Sequence, residues 1–270
     1  MKGDSWSSPD GKIGKQIVSV GEFGSKPTEN SQCKVLISDT NTYLKDLSSV
    51  TIGQQDGELC RSLDICLVTM YKNEIAQFNV NGTSFRVHLQ DFTSEKLICH
   101  CTADEKVALA LKHKSIGVEL FKTSRNKDAA YRFNKALKIL HSIPLDVEVP
   151  PETVDNILVE ELNKLKGTLY NNLASCYFKN ESWTLVIDFS KKALLYDSNN
   201  VKALYRLAVA YKNDKDFENS FNMFKKLLEL DPNNRACSEH LKYVIAQIKK
   251  AEENTNIMVK NMFKNSHSTT

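Results

Sequence analysis

The C-terminal half of the chain repeats itself every 34 residues, which leaves few architectures open to it. When the sequence is shifted by 34 positions, Ala174 aligns with Ala208 and Tyr177 aligns with Tyr211. A period of this length is built as two antiparallel helices, with small residues where the helices touch and large residues where they interlock. The second half is therefore predicted to be an all-α stack of helix pairs.

Three repeats can be counted, at about 104–143, 159–198 and 200–232. The predicted helix pairs are 104–123 with 126–142, 159–179 with 182–196, and 200–213 with 216–230. The middle repeat is the most divergent, because Val186 and Ser190 stand where a small and an aromatic residue are usual. A segment with three prolines, residues 142–156, is predicted to be an insertion between the first two repeats.

Residues 1–103 follow a different pattern, which predicts a small β module. Alternating apolar runs predict strands at 13–20, 33–37, 50–53, 76–80 and 85–89. Asn81-Gly82 is a predicted turn, and apolar residues recur at helical spacing from Leu59 through Leu63 to Met70. The fold class is therefore α+β, with Thr102 or Asp104 expected to cap the first long helix.

Residues 233–265 are predicted to form a C-terminal helix that caps the apolar face of the last repeat. Lysines alternate there with Ile248, Ile257, Met258 and Phe263, so a calmodulin target is the alternative role. Glu252 and Glu253 dilute the basic face and favour capping. Residues 266–270 are expected to be a disordered tail.

The balance of charges argues against nucleic acid or an anionic membrane as the main partner. Lys and Arg number 36 against 33 Asp and Glu, a net charge of +3.

No stretch is apolar enough for a membrane span, and the seven cysteines have no regular spacing. The expected compartment is the cytosol, with the nucleus as a second location. Cys99-His100-Cys101 has no further metal-ligand partner at suitable spacing, so neither a metal nor a cofactor is expected.

The periodic half resembles the tetratricopeptide repeat (TPR) family, whose first helices line a concave groove. With Gly117, Ala174 and Ala208 as the eighth residues of their repeats, four side chains match the dicarboxylate clamp of co-chaperone TPR domains: Lys114, Asn172, Lys202 and Arg206. The resemblance implies binding of the C-terminal Glu-Glu-Val-Asp of heat-shock protein 90. The α-carboxylate and the Asp side chain at the end of that peptide need two or three cations and an amide to hold them. The family usually has Asn where this chain has Val118.

The first half resembles the FKBP-type (tacrolimus-binding) prolyl isomerases in three stretches, 9–18, 21–27 and 58–78. An FKBP-like module followed by three TPR units is the layout of the large immunophilin co-chaperones. The resemblance is to a divergent, short form of that layout, and it implies that the β module contacts a client protein or a receptor complex.

The same resemblance implies that the isomerase pocket is degenerate at Leu59 and Leu63. Leu63 stands in the place of the Trp on the pocket floor, residues 48–52 lack the expected Phe, and a long Tyr-containing loop has shrunk to 81–84. Catalysis in the family needs an aromatic pocket that favours the twisted amide. The chain is therefore expected not to be an enzyme.

The resulting hypothesis is a non-enzymatic TPR adaptor that links heat-shock protein 90 to clients. Two alternatives stay open. One is an active prolyl isomerase co-chaperone. The other is a TPR scaffold for an unrelated partner, with the clamp residues present only as surface charge.

Overall fold

The computed structural model describes residues 5–145 and 151–266, with the side chains of 259 and 261–266 left aside. The chain forms two compact units, residues 1–101 and 102–270. The first is a β module and the second is helical, which confirms the α+β class. The boundary lies two residues before the predicted one. In the expected tail, Ser266 still belongs to a helix, and 267–270 lie outside the described residues.

The described residues of the β module, from Ser5 onward, form one antiparallel sheet of six strands. The strands are β1 (Ser5–Ser7), β2 (Ile13–Ser19), β3 (Gln32–Ser38), β4 (Ser49–Thr51), β5 (Ile75–Val80) and β6 (Thr83–Phe92). They lie in the order β1-β2-β5-β6-β3-β4, with helix α1 (Glu58–Leu67) between β4 and β5 in sequence. Strand β1 escaped prediction because all three of its residues are exposed, so it has no apolar alternation.

The hairpin between β5 and β6 turns at Asn81-Gly82, as the sequence predicts. Val80 pairs with Thr83, and both turn residues have positive φ, 49° and 85°. Both central residues of a type I′ turn need this conformation, and Asn-Gly adopts it most readily. A two-residue turn leaves no room at this place for the long loop of the isomerases.

A buried ion pair ties β2 to the segment that follows α1. Lys15 Nζ lies 2.6 Å from Glu74 Oε1, and both side chains are almost fully buried. The Lys15 ammonium also donates to the Thr69 carbonyl at 2.8 Å, while Glu74 Oε2 accepts from the Tyr71 backbone N–H at 3.0 Å. These additional bonds offset the desolvation of the two charges.

We expect Glu74→Gln to destabilise the β module by about 3–5 kcal/mol, because Lys15 would keep a buried charge without its counter-ion. Lys15→Met combined with Glu74→Leu should recover most of that loss. Hydrogen exchange of β2 and β5 measures the change in the full chain. Equal protection in wild type and Glu74→Gln would show that the pair does not support the fold.

In the described part of the helical unit there are three helix pairs and a long last helix. The helices are α2 (Ala103–Lys122), α3 (Asn126–His141), α4 (Val159–Lys179), α5 (Trp183–Tyr196), α6 (Val201–Asn213), α7 (Phe217–Leu230) and α8 (Arg235–Ser266). The ends of the paired helices lie within one residue of those predicted. No helix in the described part of the chain is sufficiently long and apolar to cross a membrane.

Thr102, rather than Asp104, caps α2. The Thr102 hydroxyl accepts from the Glu105 N–H at 3.3 Å, and the Glu105 carboxylate accepts from the Thr102 N–H at 2.8 Å. This reciprocal arrangement satisfies two helix-end donors. The α2 terminus is also held by the insertion, because Asp155 Oδ2 accepts from the Ala103 N–H at 2.8 Å.

The insertion forms a small hairpin of β7 (Thr153–Val154) and β8 (Ile157–Leu158), which the sequence analysis did not anticipate. Its two turn residues, Asp155 and Asn156, have positive φ. Residues 146–150 of the insertion lie outside the described part.

Small residues bring the paired helices together. A Cβ added at Gly117 of α2 would lie 2.6 Å from the Phe133 ring of α3, so only glycine fits there. Ala174 and Ala208 are fully buried at the matching positions of α4 and α6. The pattern in the sequence therefore reflects close helix–helix approach.

The middle repeat replaces the usual aromatic by Ser190, and its aromatic packing moves one residue earlier. Phe189 stacks on Tyr177 with ring centroids 5.3 Å apart. Ser190 is fully buried, and its hydroxyl has no hydrogen-bond partner among the described residues. A buried hydroxyl in this state lowers the stability of the fold.

We expect Ser190→Ala to raise the unfolding free energy by about 1 kcal/mol, because it removes an unsatisfied hydroxyl. Ser220→Ala is the matched control, since Ser220 is equally buried but donates to the Ala208 carbonyl at 2.9 Å. The control should lose about 1 kcal/mol. Urea unfolding followed by far-ultraviolet circular dichroism gives both values, and a destabilising Ser190→Ala would contradict this account.

Candidate functional site

Two of the predicted clamp residues, Lys202 and Arg206, border one groove in the helical unit. They lie one turn apart on α6, so their side chains share a face of the helix. The groove has a volume of about 530 Å³ and is lined from α2, α4, α6 and the start of α8. Its lining residues are Phe121, Ser175, Phe178, Lys179, Val201, Lys202, Tyr205, Arg206, Asn234 and Ala236.

Arg206 is a half-buried cation with a fixed orientation. Its Nη1 donates to Asn171 Oδ1 of α4 at 2.6 Å. Burial lowers the pKa of the Arg206 guanidinium below its ordinary value, although an arginine at neutral pH stays charged. A partly desolvated, oriented guanidinium attracts a carboxylate more strongly than one free in water.

The groove combines cations with an apolar wall. Lys202 is exposed, and Lys179 of α4 adds a third cation to the lining. Phe121, Phe178 and Tyr205 supply aromatic surface. The groove can therefore accept a carboxylate and an apolar side chain from one short ligand.

Helix α8 supports the apolar wall from behind. His240 of α8 lies with its Nε2 3.4 Å from the Tyr205 hydroxyl, and its ring stacks on Phe224 of α7. Desolvation lowers the His240 pKa, which favours the neutral ring. The described start of α8 therefore helps to position a groove residue.

The other two predicted residues lie outside the lining. Lys114 is half-buried on α2, two turns and about 10 Å along the helix before Phe121. Asn172 is half-buried on α4, three residues before Ser175. Val118, which replaces the usual Asn, is half-buried one turn before Phe121. Lys114 and Asn172 therefore lie on the same helix faces as the lining residues of α2 and α4, but they do not line the groove themselves.

Sequence reasoning missed Asn171, Lys179 and the three aromatic residues. Ser175 and Phe178 follow Asn171 at four and seven positions, so a helical face could have grouped them. The contact between Asn171 and Arg206 joins two helices and depends on how α4 packs against α6. No pattern within either helix encodes that contact.

In the β module, Leu63 occupies the core rather than a cavity. Leu63 is fully buried in the cluster that includes Phe78 and Phe85, and Leu59 packs half-buried against the same cluster. The place assigned by resemblance to the pocket floor is therefore part of the packed core.

Metal-ligand clusters are not found in the described residues, where no group of three His, Cys, Asp or Glu side chains could hold an ion. Cys99 is exposed and Cys101 is partly exposed. The other five cysteines are buried as free thiols. Within the described residues, the two thiols and the imidazole of Cys99-His100-Cys101 are therefore not arranged as a group that could hold a metal ion.

Comparison with known proteins agrees with both halves of this architecture. The tetratricopeptide repeat family model matches residues 201–234, which span α6 and α7. FK506-binding protein-like of Mus musculus is 31% identical over 261 residues, covering 92% of this chain and 70% of the relative. Human peptidyl-prolyl cis-trans isomerase FKBP4 is 27% identical over 179 residues, covering 66% of this chain and 37% of that protein.

Among solved structures, the C-terminal TPR-containing domain of a Plasmodium falciparum FK506-binding protein has a TM-score of 0.51 and 31% identity. It covers 58% of this chain and 99% of that domain. The sequence match extends across both units, and the structural match extends over an array of TPR type. The chain belongs to the FK506-binding protein-like family of TPR-containing immunophilins.

Proposed function

We propose that this protein is a co-chaperone adaptor whose α6 groove binds the acidic C-terminal tail of heat-shock protein 90. The observation that carries the proposal is the oriented, half-buried Arg206 beside Lys202 and an apolar wall. A peptide ending in Val-Asp offers two carboxylates for the cations and an aliphatic side chain for the wall.

The clamp residues have different roles in this proposal. Lys202 and Arg206 contact the carboxylates, Asn171 positions Arg206, and Lys114 and Asn172 contact the peptide where it leaves the groove. The β module serves as a binding module for a client protein. The proposed compartment is the cytosol, where the seven free cysteines stay reduced.

Calorimetric titration of the full chain with Met-Glu-Glu-Val-Asp tests the groove. We expect micromolar binding that falls at least tenfold in Lys202→Ala and in Arg206→Ala, since each removes a charge-assisted contact. Amidation of the peptide terminus should weaken binding similarly. Lys225→Ala, an exposed lysine of α7 outside the groove, is the charge-matched control. Equal binding of the amidated peptide would favour a scaffold for an unrelated partner.

A double-mutant cycle separates the two neighbouring amides. Asn171→Ala should weaken binding about three- to tenfold in wild type and have no further effect with Arg206→Ala, because Asn171 acts through Arg206. Asn172→Ala should weaken binding in both backgrounds, because it would contact the peptide directly. Additive effects of Asn171→Ala and Arg206→Ala would contradict the positioning role.

We further propose that the β module has no prolyl isomerase activity. Support comes from the complete burial of Leu63 and from the two-residue turn at Asn81-Gly82. With Leu63 buried and the loop reduced to a two-residue turn, the module lacks the aromatic pocket that would favour a twisted amide.

Exchange spectroscopy on a proline peptide measures the isomerase activity directly. We expect the full chain to leave the cis/trans exchange rate at its value in buffer, while an active FK506-binding isomerase accelerates it. A rate that rises in proportion to the concentration of this protein would establish the active co-chaperone instead.

A further inference from the structure

The cysteines of this chain fall into two groups. Cys33, Cys60, Cys66, Cys176 and Cys237 are buried, with at most 4% of their surface exposed. Burial raises the pKa of the Cys33, Cys66 and Cys176 thiols to about 12. Because the thiolate is the reactive form, these side chains are chemically protected.

Cys99 and Cys101 form the other group. Cys99 is exposed in the short 3-10 turn Ile98–His100, and Cys101, partly exposed, follows that turn directly. The two residues end the β module, and the next residue, Thr102, is the N-cap of α2. Among the seven cysteines they are the pair that solvent reaches.

Their spacing suits a disulfide between them. Cα atoms two residues apart across such a turn lie about 5 Å apart, within the range that a disulfide spans. At three residues per turn the two side chains diverge by about 120°, so closure of the bond requires the turn to open. The turn is held by backbone bonds from the His100 N–H to Leu97 and from the Cys101 N–H to Ile98, and the Cys101 thiol donates to the Leu97 carbonyl at 3.5 Å. This short exposed turn can rearrange without disturbing the core of either unit.

We propose that Cys99 and Cys101 are a reversible redox site that a small-molecule disulfide, such as glutathione disulfide, oxidises. The exposed Cys99 thiolate attacks the glutathione disulfide, forming a mixed disulfide and releasing one glutathione thiolate. The Cys101 thiolate then attacks the Cys99 sulfur, closing the Cys99–Cys101 bond and releasing the second glutathione. The protein dithiol loses two electrons and two protons, and glutathione disulfide becomes two thiols.

The small ring makes the site reversible. Closing it forces the backbone around His100 away from the 3-10 turn, and strained, exposed disulfides have more oxidising potentials than structural ones. The pair is therefore reduced under ordinary cytosolic conditions and closes only when the disulfide fraction rises. Closure fixes the residues immediately before the N-cap of α2.

Mass spectrometry of the reduced full chain, treated with glutathione disulfide under native conditions, tests the site. Trypsin cleavage after Lys96 and Lys106 places both cysteines, and no other, in one peptide, 97–106. We expect that wild-type peptide to lose two hydrogens. Cys101→Ser should instead stop at the mixed disulfide on Cys99, and dithiothreitol should reverse both products.

Thiol labelling of the same samples shows whether the buried group stays protected. We expect Cys99 and Cys101 to react on the order of a hundredfold faster than the other five, which become accessible only by opening of the fold. Circular dichroism identical to wild type would establish that Cys99→Ser and Cys101→Ser stay folded. An unmodified wild-type peptide, a wild type that stops at the mixed disulfide, or bonds to any other cysteine would each overturn the proposal.

Discussion

The close approach of paired helices at three small residues is the constraint on which the helical unit depends. Gly117 lies directly against the Phe133 ring, and Ala174 and Ala208 are buried at the equivalent positions. Because these helices nearly touch, each pair is a rigid unit that packs only on its neighbours. The first helices then lie side by side, which brings Phe121, Ser175 and Arg206 to one groove.

The groove illustrates how a repeat array brings side chains from several helices together without a special loop. Each lining helix contributes between one and four side chains, and the array fixes their separation. Arg206 reaches back to Asn171 on the preceding repeat, so its guanidinium is oriented before any ligand arrives. An oriented cation loses less conformational entropy on binding than a free one, which is the physical advantage of building the site on helices.

The β module packs α1 and its six-stranded sheet around a continuous hydrophobic core. Leu63 packs in this core, and the Lys15–Glu74 ion pair joins β2 to the segment that follows α1. A buried, hydrogen-bonded ion pair fixes one arrangement of these segments, because any other arrangement leaves a charge unpaired.

Periodicity in the sequence determined the class, the number of repeats and the helix ends, because each depends on residues close together in the chain. Asn81-Gly82 likewise determined a two-residue hairpin turn from local φ preferences alone. Strand β1 and the hairpin β7–β8 carry no such local signal, since their residues are too few or too exposed. Tertiary structure alone decided that Arg206 pairs with Asn171 and that Lys179 joins the groove, because those positions depend on the packing of α4 against α6.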